Sequence, residues 1–146
     1  MNILISRCLL GEPCRYDGQS RPVPGIRQLE HAGHILIPVC PEEAGGLPTP
    51  RPPAERQQDG RVVNQAGEDV TAAYRKGAEI AVNLARQHEC QAAILKAKSP
   101  SCGSGSIYDG TFSGHLTPGW GVAAERLCEI GLTVLDENSW QTLLNR

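Results

Sequence analysis

Four cysteines of this chain stand where loops are expected: Cys8, Cys14, Cys40 and Cys102. Cys8 and Cys40 directly follow the apolar runs Asn2 to Arg7 and Ile35 to Val39, and Cys102 lies shortly past a third, Ala92 to Ala97. Short apolar runs stopped by turn residues read as buried strands. In an open α/β sheet, groups at the carboxyl ends of parallel strands face one crevice. Thiols distant in sequence then meet there, and Cys14, six residues beyond Cys8, folds back to the same place. Soft thiolate ligands select Zn2+ or iron–sulfur clusters, so the chemistry on offer is metal binding. The spacing contains no C-x-x-C and no histidine pair of a zinc finger, so plain buried thiols carry equal weight at this point. Cys90 and Cys128 fall after and on expected helices and are given no chemistry.

The neighbours of these cysteines shift the balance. Cys40-Pro41-Glu42 sets a carboxylate two residues past one thiol, and Ser99-Pro100-Ser101-Cys102-Gly103 sets two hydroxyls beside another. A carboxylate and a hydroxyl at a metal make a proton-transfer set. Arg15, Arg51 and Lys96 supply donors for an anionic or carbonyl-bearing ligand. Separately each is a solvated charge; on these particular loops a binding role carries equal weight.

The elements that must position these groups alternate between strand and helix. After the first strand, Gly11 to Gly18 is a loop with an Asp-Gly turn, and Pro24 to Ala32 is a short helix with Ile26 and Leu29 inward. Pro38 points to an edge position for the second strand. Pro41 to about Gly67 reads as one long functional loop, with Val62-Val63 as a small strand on its far side. Asp69 caps the clearest helix, whose stripe is Val70, Ala73, Tyr74, Gly77, Ile80, Ala81 and Leu84. A glycine-rich loop from Gly103 to Pro118, a helix from Gly119 to Ile130, a strand at Leu132 to Leu135 and a terminal turn or helix from Ser139 to Leu144 complete the chain. The expected class is α/β: a mostly parallel sheet flanked by helices in three layers, Rossmann-like, with long functional loops. The whole span 1–146 is expected to be a single domain, long enough for a core without disulfides.

A formal charge of −2 gives no footprint for nucleic acid, and no apolar run is long enough to span a bilayer. The amino-terminal residues lack the charged lead and long apolar centre of a signal peptide, so a cytoplasmic, reducing location is expected. There, six cysteines are not expected to form structural disulfides.

Several blocks, in order, carry a resemblance. Cys8-Leu9-Leu10-Gly11, Cys14-Arg15-Tyr16-Asp17-Gly18, Cys40-Pro41-Glu42 with Gly45-Gly46-Leu47 and Pro50-Arg51-Pro52, then Ser99-Pro100-Ser101-Cys102-Gly103 with Tyr108-Asp109-Gly110-Thr111-Phe112 resemble the DUF523 family, which includes the 2-thiouracil desulfidases. The resemblance runs over almost the whole chain. It implies a [4Fe–4S] cluster held by three cysteines, with an open iron acting as a Lewis acid on the sulfur of a thiolated pyrimidine while water attacks the C=S carbon. It also implies that Glu42 handles the water's proton and that a serine assists, Ser101 before Ser99. Cys8, Cys40 and Cys102 are the first choice of ligands and Cys14 the reserve. The expected partner is a small thiobase, without nucleic acid or membrane. Two other readings stand beside it: a structural zinc site closed by all four cysteines, and a metal-free sulfur-transfer enzyme using one thiol of low pKa.

Overall fold

The computed structural model describes residues 1–145. In chain order it contains β1 (Asn2–Ser6), a 3-10 turn (Arg7–Leu10), α1 (Gln28–His31), β2 (Ile35–Val39), α2 (Pro41–Ala44), β3 (Ala54–Arg56) and β4 (Val62–Asn64). It continues with α3 (Thr71–Gln87), β5 (Ala92–Ile94), β6 (Ser104–Tyr108), β7 (Leu116–Trp120), α4 (Val122–Glu129), β8 (Thr133–Leu135) and a 3-10 helix (Trp140–Asn145).

The central sheet has the order β2-β1-β5-β8, and every neighbouring pair is parallel. Alternation along β1 sends Leu4 to one face and Ile3 and Ile5 to the other. Leu4, Ala93 and Leu95 meet Ala81, Val82 and Ala85 of α3 and Ala124 and Leu127 of α4. Ile3, Ile5 and Ile94 meet Leu29 of α1 and Trp140 and Leu143 near the carboxyl end. The result is the expected three-layer α/β arrangement. Pro38 lies on an edge strand, where its missing N–H leaves no gap in an interior ladder.

Three stretches depart from expectation. The span 41–67 is not one loop: it holds α2 and the antiparallel hairpin β3–β4. The span 103–118 likewise holds the hairpin β6–β7. Neither hairpin shows apolar alternation: β3 and β4 are three residues each, and β6 and β7 are built largely of Ser, Gly, Thr and Pro. The face of α3 is also turned: Thr71, Tyr74, Gly77, Ala78, Ala81, Val82 and Ala85 are buried, while Ala73, Ile80 and Leu84 are only partly so. Asp69 accepts the Thr71 N–H at 2.9 Å but precedes the helix by two residues. No helix among the described residues is long and apolar enough to cross a membrane.

Candidate active site

The carboxyl ends of β1, β2 and β5 deliver the thiols. Past Ser6, the 3-10 turn carries Cys8 and is closed by Gly11 in the left-handed region (φ 100°), which suits a residue without Cβ. Cys40 is the extended residue between β2 and α2, and Pro41 occupies the first helical position, where its missing N–H costs nothing. Cys102 sits in a loop held at both sides. Ser99 Oγ accepts the N–H groups of Ser101 and Cys102 at 3.0 Å each. The carbonyls of Pro100 and Ser101 accept N–H groups from Val122, Ala123 and Ala124, so the loop caps α4. Gly121 makes that approach possible: a Cβ there would lie 2.4 Å from the Ser101 carbonyl carbon.

All four thiols line a single cavity of about 510 Å³, together with Ser6, Arg15, Glu42, Arg51, Tyr74, Lys96 and Ser99. Cys14 lies near Cys8 and Cys40, and Cys40 Sγ donates to the Cys14 carbonyl at 3.7 Å. Cys102 accepts a hydrogen bond from Ser6 Oγ at 3.5 Å. Bonding to Cys40 draws the Cys14 thiol down, but the bond to Cys8 and burial outweigh it, and its pKa stands at about 11. The bond to Cys14 and burial push Cys40 up, and burial pushes Cys102 up to about 12. Crowded, desolvated thiols resist ionising singly. Among the described residues, no three His, Cys, Asp or Glu side chains are grouped as ligands of a single metal ion.

Glu42 is the carboxylate of this cavity. Arg51 forms a double hydrogen bond to its Oε2, with Nε at 2.9 Å and Nη2 also bonded, and the two side chains are only 5% and 13% exposed for Arg51 and Glu42. Arg51 Nη2 also reaches the Cys14 carbonyl at 3.1 Å, and Nη1 the Thr49 hydroxyl and the Pro48 carbonyl. The other Glu42 oxygen, Oε1, accepts from Ser99 Oγ at 3.4 Å. Tyr74, placed by sequence in the core stripe of α3, faces the same cavity; burial first and the Glu42 charge second raise its pKa.

The structure therefore brings Cys8, Cys14, Cys40, Cys102, Glu42, Ser99, Arg15, Arg51 and Lys96 to one place. Ser101 is different. It is fully buried, does not line the cavity, and its hydroxyl has no hydrogen-bond partner among the described residues. Ser99, the second choice from sequence, is the serine beside Glu42. Arg51, expected against a ligand, has its donors taken up by Glu42 and the surrounding loop. Lys96 is paired with Glu137 at 2.7 Å. Arg15 keeps a buried Nη1 with no hydrogen-bond partner, Asp17 being 3.6 Å away. Glu55, which the sequence did not mark, and Phe112, marked only as the end of the block from Tyr108, also line the cavity. Asp59-Gly60, a turn dipeptide between Ala54-Glu55-Arg56 and Val62-Val63, was the available signal for the hairpin that carries Glu55.

A family model described as 2-thiouracil desulfurase matches residues 3–139. The uncharacterized protein YbbK of Bacillus subtilis (strain 168) is 41% identical over 151 residues, spanning 97% of this chain and 99% of YbbK. Among solved structures, that of a [4Fe-4S]-dependent thiouracil desulfidase, TudS, superposes with a TM-score of 0.91 at 46% identity, covering 97% of this chain and 94% of TudS.

Proposed function

This chain belongs to the 2-thiouracil desulfurase family, and from that premise we propose that it hydrolyses the C=S bond of a thiolated pyrimidine, releasing the oxo-base and sulfide without net redox change. The single domain of residues 1–146 acts in the cytoplasm, on a small-molecule thiobase. Cys8, Cys40 and Cys102, from the ends of three adjacent parallel strands, hold a [4Fe–4S] cluster, and Cys14 is the thiol beside it. When bound, such a cluster supplies an open, Lewis-acidic iron for the substrate sulfur. Support comes from the donor set: four thiols line one cavity, and soft thiolate ligands select iron–sulfur clusters.

The remaining roles follow from the side chains. Glu42 takes the proton of the attacking water at Oε1, because Oε2 is held by Arg51. Ser99 donates to that same oxygen and steadies it, and Arg51 fixes the orientation of the carboxylate. Arg15 offers its unpartnered Nη1 to a carbonyl or ring nitrogen of the base.

One observation carries the proposal: a carboxylate whose Oε2 is held by Arg51 and whose Oε1 meets a serine hydroxyl shares its cavity with the thiols. Anaerobic protein reconstituted with iron and sulfide is expected to be brown and to convert 2-thiouracil to uracil and sulfide in equal amounts. Glu42→Ala is expected to keep the visible absorption and lose turnover; full activity in that variant removes Glu42 from the scheme. Iron is expected to be lost on changing Cys8, Cys40 or Cys102 to Ala and kept on changing Cys14, Cys90 or Cys128. Iron lost with Cys14→Ala and kept with Cys102→Ala would move the ligand set to Cys8, Cys14 and Cys40.

A further inference from the structure

Every Phe and Tyr of this chain, namely Tyr16, Tyr74, Tyr108 and Phe112, lines the cavity that holds the thiols. In a chain with so few aromatic residues that concentration calls for a reason. Phe112 adds a second observation: its backbone lies in the left-handed region (φ 56°), an outlier for a bulky side chain. Such strain persists only where the surroundings impose it, and it clusters at ligand clamps.

The imposing group is Glu55. Its side chain is buried, and Oε1 accepts the N–H of Gly110 at 2.9 Å and of Phe112 at 3.1 Å. Gln57 Nε2 donates to the Gly110 carbonyl at 3.2 Å. Gly110 (φ 95°) lies so close to β3 that a Cβ would come within 3.1 Å of Gln57 and 3.2 Å of the Arg56 carbonyl. The loop between β6 and β7 is thus strapped onto β3 from below, at the two residues that set where the Phe112 ring goes. A buried carboxylate given over to two backbone N–H groups has no part in the proton transfer assigned to Glu42.

We propose that Phe112 is a specificity-determining residue, its ring held as a wall of the cavity against which a flat heteroaromatic base stacks, and that Glu55 is its positioning residue. This rests on the desulfidase reading above. It assigns ring recognition to the β6–β7 loop and chemistry to the thiol-bearing strand ends. Stacking does not depend on the reacting C=S group, so it acts on substrate and product alike.

The test uses the reconstituted holoenzyme and the variants Phe112→Gly, Phe112→Tyr, Glu55→Gln and Glu55→Ala. Phe112→Gly removes the ring and also relieves the left-handed backbone, so the melting temperature is expected not to fall. The Michaelis constant for 2-thiouracil and the calorimetric dissociation constant for uracil are both expected to rise about tenfold, the usual scale of one lost base stack. Turnover number and visible absorption are expected to stay at the wild-type level. Phe112→Tyr restores binding; Glu55→Ala reproduces the loss with the ring still present, and Glu55→Gln, which keeps one acceptor oxygen, falls between. Unchanged uracil affinity in Phe112→Gly, or a fall in turnover alone, overturns the proposal while leaving the desulfidase reading standing. A wild-type enzyme that releases no uracil from 2-thiouracil overturns both.

Discussion

Gly77→Ala is expected to cripple the reaction while hardly disturbing the fold. Gly77 lies inside α3, where glycine is a poor choice, about 1 kcal/mol worse than alanine. It is there because α2 comes in against bare backbone: a Cβ at Gly77 would stand 1.9 Å from the Pro41 carbonyl oxygen. The contact is reciprocal, since a Cβ at Gly45 would stand 2.0 Å from the Ala73 oxygen. Real Cβ atoms keep beyond 3.0 Å, so the added methyl must part the two helices by about 1 Å. Glu42 directly follows Pro41 and moves with it. A displacement of about 1 Å at a reacting group costs on the order of 100-fold in rate. In stability, roughly 1–3 kcal/mol of overpacking is offset by about 1 kcal/mol of regained helix propensity, leaving a net loss of about 0–2 kcal/mol. The assay pairs thermal melting and visible absorption with kcat/KM for 2-thiouracil. A folded, brown variant within threefold of wild type would refute the claim that this glycine sets the position of the base.

Other expectations follow from the same contacts. Arg51→Ala leaves Glu42 a charge without its partner, and urea unfolding is expected to show a loss of about 3–5 kcal/mol, with Arg51→Lys recovering only part of it because a lysine cannot bond in fork geometry. Ser99→Ala is expected to lower turnover, since it strips a donor from Glu42 and an acceptor from two N–H groups, whereas Ser101→Ala keeps activity; the reverse ranking would return Ser101 to the site. Glu137 is held below its usual 4.5: burial works against this, but the Lys96 bond and the Ala97 N–H prevail. A lowered folded value means stability that is present above about pH 4.5 and lost as acid protonates the folded carboxylate. Glu137→Gln is therefore expected to flatten the acid limb of a stability-against-pH curve, and an unchanged limb would contradict it.

The parallel sheet was legible because buried strands announce themselves as short apolar runs: Ile3-Leu4-Ile5 and Ala92 to Leu95 do so here. The thiol positions followed, since a strand end is a place in the fold as well as in the chain. What stayed hidden depends on contacts between distant segments. Nothing local separates Ser99 from Ser101; which hydroxyl turns inward is decided by the grip of the loop on α4. Tyr74 and Ala78 are buried by the β3–β4 hairpin and α4, which is why the inner face of α3 is turned from the stripe read in sequence. Gly77 read as one more small residue of that stripe, although its job is to let α2 touch backbone. Glu55 sat among charged residues with no pattern to mark it, because its partners lie more than fifty positions away.

The thiols belong to residues 8, 14, 40 and 102, and the pairing of β1 with β2 and β5 brings those of Cys40 and Cys102 to the end of β1. A zinc finger folds around its metal because its ligands are close along the chain. Here the receptacle is bounded by elements that the apolar layers on both sides of the sheet hold together. On the proposed reading, iron and sulfide come to a cavity that the fold itself assembles.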